Sequence, residues 1–289
     1  MKVNHLITNE CEYCKKEFES LDYYHRRFCS HSCGSKNRML KYKNTIDVLN
    51  PSFELGYVLG AIYGDGSIMY DEKRTLYNIR FAVLDKEFRD ILLENIKKVY
   101  PYLIDLKNMS RKGKIYYGLN IFSKDFCGIL KNFSLNMMNQ DMRRGFIVGI
   151  FDAEGSVGVY NLDKPTKVKR MISFTQKFGN VLNMVKEIII GNGIKFYAWT
   201  RKGSGFNPKG RYLNLIITGK KNLILFKENF GFAIPRKRDK LELAINSYQK
   251  VKCERCGNIS ERASASQRYC YNCSKLIYPN LIRKEVNTV

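Results

Sequence analysis

The segments VLGAIYGDG, from Val58 to Gly66, and IVGIFDAEG, from Ile147 to Gly155, are two versions of one pattern and predict a pair of packed helices. On a helix, small residues at every fourth position form a narrow stripe along which two backbones can approach closely. Each glycine inside a helix costs about 1 kcal/mol relative to alanine, and close packing would offset that loss. The stripes are Gly56, Gly60 and Gly64 in the first copy, and Gly145, Gly149 and Ala153 in the second.

Each copy ends in an acidic residue that precedes a glycine, Asp65 in the first and Glu154 in the second. The pattern indicates two carboxylates that the ends of two packed helices bring to one place. The alternative is an apolar helix that stops at a glycine, with a solvated acid beside it. Two copies in the same phase, with flanking sequence that also repeats, favour a paired acidic site.

The composition indicates a globular protein with a polyanionic partner. The chain has 289 residues, of which 44% are hydrophobic, and a formal net charge of +23 at pH 7. Such a charge favours nucleic acid as the partner, with an anionic membrane surface as the alternative. We find no apolar run of about eighteen residues that could span a bilayer, and no apolar signal-peptide core near the N-terminus. We therefore expect a cytoplasmic protein without membrane contact, whose thiols stay reduced.

Eight of the nine cysteines form two clusters with the spacing of four-cysteine zinc sites. Each cluster has a Cys-x-x-Cys pair, a polar loop and a second close pair, and His31 is a possible substitute ligand in the first. A disulfide framework is the alternative, which a reducing compartment disfavours. The predicted Zn²⁺ ligands are Cys11, Cys14, Cys29 and Cys33, and Cys253, Cys256, Cys270 and Cys273. We expect two small modules, residues 1–43 and 251–289, that need their metal to fold.

Between the clusters, hydrophobic periodicity predicts the order helix, hairpin, helix, hairpin, helix twice. Short motifs recur at corresponding points, so we interpret residues 44–140 and 141–250 as tandem repeats. The predicted helices lie near 52–64, 85–100, 123–133, 142–153, 178–190, 220–230 and 234–249. The predicted strands lie near 67–70, 77–84, 103–107, 115–121, 156–160, 171–175, 195–200 and 211–218.

The predicted turns and strands carry basic residues interleaved with aromatic ones. Since alternate residues of a strand share a face, one face of each hairpin could be basic and aromatic while the other packs on helices. Such a ribbon fits the major groove of duplex DNA. The alternative is that these loops are merely solvated. The candidate DNA-binding residues are Lys73, Arg74, Arg80, Lys112, Lys114, Lys167, Lys169, Arg170, Arg201 and Arg211.

The two opening segments resemble the LAGLIDADG signature, and residues 50–250 resemble a monomeric, two-repeat LAGLIDADG homing endonuclease. The second segment has Asp152 and Glu154 in its two acidic positions, whereas Tyr63 stands in the earlier acidic position of the first. The resemblance implies an α+β fold of two αββαββα repeats, in which the motif helices pack together and antiparallel sheets form a saddle over DNA. The terminal modules resemble small zinc fingers appended to phage and organellar nucleases.

The resemblance also implies a site-specific double-strand DNA endonuclease. Asp65 and Glu154 would bind Mg²⁺, which suits hard oxygen ligands and activates water for attack on a phosphodiester. Gln176 matches the family's glutamine in the second repeat, where the first repeat has Asp85. Lys237, or alternatively Lys240, would be the lysine that stabilises charge. The candidate catalytic residues are therefore Asp65, Glu154, Gln176 and Lys237.

Two other functions are open to a chain of this kind. A non-cleaving member of the fold would be an RNA maturase or a DNA-binding regulator, but a pure binder gains nothing from two carboxylates beside phosphate. An intein with an embedded nuclease is disfavoured, because the chain lacks the terminal nucleophile and the His-Asn pair of protein splicing. We expect a monomer that binds double-stranded DNA.

Overall fold

The computed structural model describes residues 6–21, 26–43, 50–73, 76–100, 104–131, 133–163, 168–202, 210–248, 250–261 and 267–278, without the side chains of 38–43, 125, 131 and 261. The chain divides into two compact units, Met1–Asn50 and Pro51–Val289. The candidate residues Arg74 and Lys167 lie outside the described residues. None of the described helices is long and apolar enough to cross a membrane.

The first unit contains a hairpin followed by a helix. Strands β1 (Leu6–Glu10) and β2 (Glu17–Leu21) pair antiparallel, and helix α1 spans His31–Lys43. The first two cysteines lie in the turn between the strands, and the second two lie around the start of the helix.

The second unit begins with α2 (Phe53–Asp65), the helix of the first motif. As predicted, Ser52 caps it, because its side-chain oxygen accepts a hydrogen bond from the Leu55 N–H at 3.2 Å. Every residue from Leu55 to Ile62 is buried. The apolar sequence of the motif therefore forms a core helix, and only its end reaches the surface.

An antiparallel sheet follows, with helices on one of its faces. The elements are β3 (Ser67–Asp71), β4 (Leu76–Val83), α3 (Lys86–Val99), β5 (Ile104–Arg111), β6 (Lys114–Ile121) and α4 (Lys124–Lys131), and the strand order is β3-β4-β6-β5. The alternating residues Ile79, Phe81 and Leu119 are buried and belong to the core.

The second half has the same order of elements and of strands. Its elements are α5 (Gln140–Glu154), β7 (Gly155–Tyr160), β8 (Lys169–Lys177), α6 (Asn180–Gly191), β9 (Tyr197–Lys202), β10 (Arg211–Thr218) and α7 (Lys220–Asn229), with the strand order β7-β8-β10-β9. Asn139 caps α5 as Ser52 caps α2, by accepting from the Met142 N–H at 2.8 Å. The mixed α/β fold with antiparallel sheets is the expected one, as is the order of elements in each half.

The remaining elements are α8 (Pro235–Asn246), β11 (Lys250–Lys252), β12 (Ile259–Glu261) and α9 (Tyr271–Ile277). Helix α8 ends three residues before the predicted end at Gln249. The Ser247 hydroxyl donates to the carbonyl of Ala244 at 3.0 Å, and strand β11 starts at Lys250. The chain therefore leaves the helix early to begin the hairpin of the second cysteine cluster.

Helices α2 and α5 pack through their stripes of small residues. A Cβ atom on Gly56 or Gly60 would lie 2.0 or 2.1 Å from a carbonyl oxygen of α5. In return, a Cβ atom on Gly145 or Gly149 would lie 2.0 Å from a carbonyl oxygen of α2. The contacts are reciprocal, so the predicted close approach of the two helices is confirmed.

Candidate metal centre and nucleic-acid interface

Asp65 and Glu154 are the last residues of α2 and α5, and the packing of these helices brings their ends together. A Cβ atom on Gly64 would lie 2.5 Å from the Ala153 Cβ and 3.3 Å from the Glu154 Cγ. Asp65 follows directly after this contact. Both acids are exposed, so the pair is open to a ligand from solvent.

The surroundings of this acid pair disfavour two negative charges without a cation. Desolvation raises the pKa of the Asp65 carboxyl, and the nearby Lys237 charge opposes the effect. Desolvation and the Asp65 charge together raise the pKa of Glu154 to about 7. A divalent cation would relieve this repulsion, and two carboxylates with room for water suit Mg²⁺. The chemistry of the pair therefore fits such an ion.

Asp152, the earlier acid of the second motif, is buried and joins the two motif helices. Its Oδ2 atom accepts from the Tyr57 hydroxyl at 2.9 Å and from the Ala233 N–H at 3.2 Å. Burial raises the pKa of Asp152 to about 6, although the Tyr57 hydrogen bond lowers it. Asp152 thus holds α5 in place and does not face solvent.

Tyr63 replaces this acid in the first half, and its neighbours have changed with it. The Tyr63 hydroxyl donates to the Leu130 carbonyl at 2.7 Å, and its ring lies edge-on to Phe146, with centroids 6.2 Å apart. Phe146 occupies the place in α5 that Tyr57 occupies in α2. The polar contact between Tyr57 and Asp152 therefore corresponds, on the other side of the helix interface, to the aromatic contact between Phe146 and Tyr63.

Lys237 is buried and holds the end of α5. Its Nζ atom donates to the carbonyl oxygens of Phe151 at 3.1 Å, Asp152 at 2.5 Å and Gly155 at 2.6 Å. Burial lowers the pKa of this ammonium to about 8, and the Asp152 charge opposes that shift. Since an ammonium has three N–H donors, these carbonyls can engage all of them. The geometry supports a role in fixing the helix end that carries Glu154.

Gln176 makes the corresponding contact at the end of α2. Its Nε2 atom donates to the Tyr63 carbonyl at 3.2 Å, two residues before Asp65. Its Oε1 atom accepts from the Lys177 N–H at 2.8 Å. Both candidate supporting residues therefore lie beside the acid pair, and each contacts the backbone of a motif helix.

Each sheet has a face turned away from the helices, which we call its open face. Phe174 marks the covered face of the second sheet, since its ring packs on Phe151 of α5 with centroids 4.8 Å apart. The Thr175 hydroxyl, on the next residue, instead donates to Asn214 on the open face, at 3.1 Å. By this alternation and the strand register, the open-face cations are Arg80, Lys107, Arg111, Lys114, Lys169, Lys177 and Arg201.

Exposed aromatic residues lie among these cations on the second sheet. The side chains of Tyr160, Tyr197 and Trp199 are 50%, 61% and 51% exposed, and all three belong to the open face. The predicted turn residues Lys73 and Lys112 are exposed as well. Rings and cations on one surface are suited to contact with bases and phosphates.

Two of the predicted DNA-binding residues lie on the covered side. Arg170 donates from Nε to the Ser247 hydroxyl at 2.7 Å, and its guanidinium lies 4.3 Å from the centre of the Tyr248 ring. The Arg211 guanidinium lies 5.3 Å from the centre of the Phe178 ring. Because neighbouring strand residues face opposite ways, Lys169 and Arg170 cannot share the open face.

The candidate DNA-binding set also omits Lys107, Arg111 and Lys177. All three are exposed cations at open-face positions. The signal that could have found them is the period of two, counted from the buried residues of each strand.

The two cysteine clusters have the dimensions of a tetrahedral metal site. Within each cluster the four Sγ atoms lie within 4.8 Å of one another. The Sγ atoms are 3.6 Å apart for Cys14 and Cys29, 3.5 Å for Cys29 and Cys33, and 3.7 Å for Cys256 and Cys270. A Zn–S length of about 2.3 Å in a tetrahedron separates sulfurs by about 3.8 Å.

Backbone amides favour the thiolate in both clusters. Hydrogen bonds from the amides of Cys270, Cys256 and Arg255 lower the pKa of Cys253 to about 6. Although burial raises it, the pKa of Cys11 falls to about 6 for the same reason. Since the thiolate is the form that binds metal, Cys11 and Cys253 are each the cysteine of their cluster that most readily supplies it.

The clusters also share a local structure that their spacing does not reveal. The Glu12 N–H donates to the Arg27 carbonyl at 3.1 Å, and the Glu254 N–H donates to the Arg268 carbonyl at 3.0 Å. The side chains of each pair form an ion pair as well, at 2.5 and 3.9 Å. The two modules are therefore built alike around their cysteines.

Comparisons with known proteins agree with this fold. A family model described as a LAGLIDADG-like domain matches residues 141–231. An uncharacterized protein of Methanocaldococcus jannaschii is 25% identical over 222 residues, which cover 75% of this chain and 80% of that protein.

Two solved structures are also similar. One is I-DmoI in complex with DNA and Ca, with a TM-score of 0.48 and 18% identity, covering 66% of this chain and 97% of that one. Another is full-length WhiA from Thermatoga maritima, with a TM-score of 0.47 and 16% identity, covering 69% of this chain and 63% of that one.

Proposed function

We propose that the protein is a monomeric, site-specific double-strand DNA endonuclease of the LAGLIDADG homing type, with Mg²⁺ bound at Asp65 and Glu154. The observation that carries this proposal is the contact between the ends of α2 and α5. It brings two exposed carboxylates to one point, in a chain whose sheets carry basic open faces. A protein that only binds DNA has no use for repelling carboxylates beside phosphate, since they weaken its binding.

Each residue of the site has a distinct role in the proposed hydrolysis. The metal would supply stabilisation of phosphate charge and a more acidic water. Asp65 and Glu154 hold it, while Lys237 and Gln176 fix the helix ends that carry these acids. The open-face cations bind the phosphates of the duplex and set its position. Since each half of the fold presents one acid and one sheet, two strands can be cut in one complex.

We further propose that each cysteine cluster binds one structural Zn²⁺. The sulfur distances and the amides that favour thiolates support this assignment. In this proposal, residues 1–43 and 251–289 are zinc modules, and residues 44–140 and 141–250 are the two repeats of a cytoplasmic protein.

A randomised DNA library tests the endonuclease directly. The protein is incubated with the library and Mg²⁺, and the cut ends are sequenced. We expect one recurrent site, cut on both strands. No cleavage with binding retained would reject the nuclease and favour a regulator or an RNA maturase.

The acid pair is tested on the recovered site. The double variant Asp65→Asn, Glu154→Gln should lose cleavage and keep DNA binding. The matched control is Asp141→Asn, which changes an exposed acid in the first turn of α5, at the other end of the helix that carries Glu154. Cleavage that persists in the double variant would contradict the assignment of the metal ligands.

A further inference from the structure

Two consecutive residues of α8 contact different halves of the fold. Lys237 binds the carbonyls at the end of α5, as described above. Arg236 instead forms an ion pair with Asp85, which caps α3 in the first half. The start of α8 therefore places one cation in each half, although it follows the second half in sequence.

Asp85 occupies the place in the first half that Gln176 occupies in the second. Asp85 lies two residues after the buried Val83 of β4, and Gln176 lies two residues after the buried Phe174 of β8. A lysine follows in both halves. Gln176 reaches the Tyr63 carbonyl near the acid pair. An unpaired aspartate at the matching place would repel a phosphate, whereas the ion pair presents a guanidinium there.

Geometry places this ion pair near the acid centre, because Arg236 directly precedes Lys237, whose Nζ atom donates to the carbonyl of Gly155, the residue after Glu154, at 2.6 Å. The charges of both Asp85 and Asp65 act on Lys237, where they raise a pKa that burial lowers. Burial raises the pKa of Asp85, but its hydrogen bonds with Arg236 and the start of α3 outweigh this and lower it. Asp85 is thus an ionised carboxylate, and its full negative charge holds the Arg236 guanidinium in place.

Arg236 also remains available to a ligand. Its side chain is 60% exposed, whereas that of Asp85 is 25% exposed. The contact with Asp85 uses one terminal nitrogen, and a guanidinium has five N–H donors in a planar fork. Phosphate oxygens match that fork well.

We propose that Arg236, held by Asp85, contacts a phosphate of the strand cut in the first half-site and thereby sets the relative rates of cleavage of the two strands. This inference rests on the proposed endonuclease function. Arg236 is the contact residue, and Asp85 is a positioning residue that acts through it. The second half-site has the neutral Gln176 instead, so the two half-sites are electrostatically unequal.

Strand-resolved cleavage tests the proposal. A duplex containing the site recovered from the library carries a different label on each strand, and both rates are measured in single turnover. Arg236→Ala should slow one strand about tenfold and leave the other within about twofold, because it removes one exposed charge-assisted contact. Nicked duplex should accumulate, and Arg236→Lys should restore part of the lost rate. Arg238→Ala, an exposed arginine two residues along α8, is the matched control and should change neither rate.

A second measurement does not depend on cleavage. With Ca²⁺ in place of Mg²⁺, DNA affinity is measured against salt concentration. Loss of one phosphate contact should reduce the slope of log affinity against log salt by about one in Arg236→Ala. The effects of Arg236→Ala and Asp85→Asn should not add, and in the Arg236→Ala background Asp85→Asn should recover part of the lost affinity, because it removes the aspartate left unpaired there.

The outcomes separate this inference from the function on which it rests. A ratio of the two strand rates in Arg236→Ala that equals the wild-type ratio, or a salt slope equal to that of the wild type, would overturn the role of Arg236 while the nuclease stands. A wild-type protein that cuts neither strand would reject the nuclease and this inference together.

Discussion

Glu154 makes the stability of the metal-free protein depend on pH. Its carboxyl has an ordinary pKa of 4.5 in an unfolded chain and a pKa of about 7 in the folded one, because of desolvation and the Asp65 charge. Between these values the folded state binds more protons, so stability falls as pH rises and the loss is complete above pH 7. Glu154→Gln removes this loss. We expect the variant to have a higher melting temperature than the wild type at pH 8 without Mg²⁺, and the difference to shrink toward pH 4.

Added Mg²⁺ should reverse that order. In the proposed function the wild type binds the ion through both acids and gains stability by mass action, whereas the variant has lost one ligand. Glu94→Gln, an exposed glutamate on α3, serves as the control and should melt with the wild type in both conditions. A Glu154→Gln protein that melts below the wild type at pH 8 without metal would contradict the raised pKa.

The acids could be predicted from the sequence, but their partners could not. Asp65 and Glu154 stand out because the same pattern occurs twice with an acid at the same place. The contact between Arg236 and Asp85 joins residues 151 positions apart, and no local pattern indicates it. Lys169 and Arg170 show a second limit of sequence-based prediction. Both are basic and both were therefore candidates, but only the strand register shows that Lys169 lies on the open face and Arg170 on the covered one.

At the scale of elements, the packing of α2 against α5 leaves no room for a side chain at the glycine stripe. A Cβ atom on Gly149 would lie 2.0 Å from the Tyr57 carbonyl oxygen, so Gly149→Ala forces the helices apart. We expect it to lower the free energy of unfolding by about 1–3 kcal/mol, the usual cost of overpacking a core. Urea unfolding at fixed pH measures the change.

Gly128 provides the matched control on another helix. A Cβ atom there would meet nothing within 4 Å, and the residue lies inside α4. Gly128→Ala should be neutral or stabilise the fold by up to about 1 kcal/mol, because alanine has the higher helix propensity. Equal stability of Gly149→Ala and the wild type would mean that the helices are not in close contact.

Local patterns predicted most elements because helices and half-buried strands have distinct periods. Ser52 before an apolar run correctly located the start of α2, and the paired hairpins were found from alternation and turns. The end of α8 was placed too late, since its polar sequence offers no stop before the next hairpin. Boundaries that depend on the following element are hard to predict from sequence alone.

For the whole molecule, the hairpins of the two cysteine clusters share one construction but carry different charge. Hairpin β1–β2 is acidic, and Glu10 and Glu17 lie directly opposite each other. Hairpin β11–β12 instead exposes Lys250, Lys252 and Arg255. A phosphate backbone would therefore be attracted to hairpin β11–β12 more than to hairpin β1–β2.

We predict that the C-terminal module lengthens the DNA footprint and the N-terminal hairpin does not. In the full-length chain, the double variant Lys252→Ala, Arg255→Ala should weaken DNA binding and reduce the salt slope by up to about two, one for each lost phosphate contact. Cleavage at saturating protein should be unchanged, since neither residue belongs to the acid centre. Lys16→Ala, which changes an exposed lysine between β1 and β2, is the control and should leave affinity and slope as they are. Affinity and slope that remain at wild-type values in the double variant would show that the module caps the fold without touching DNA.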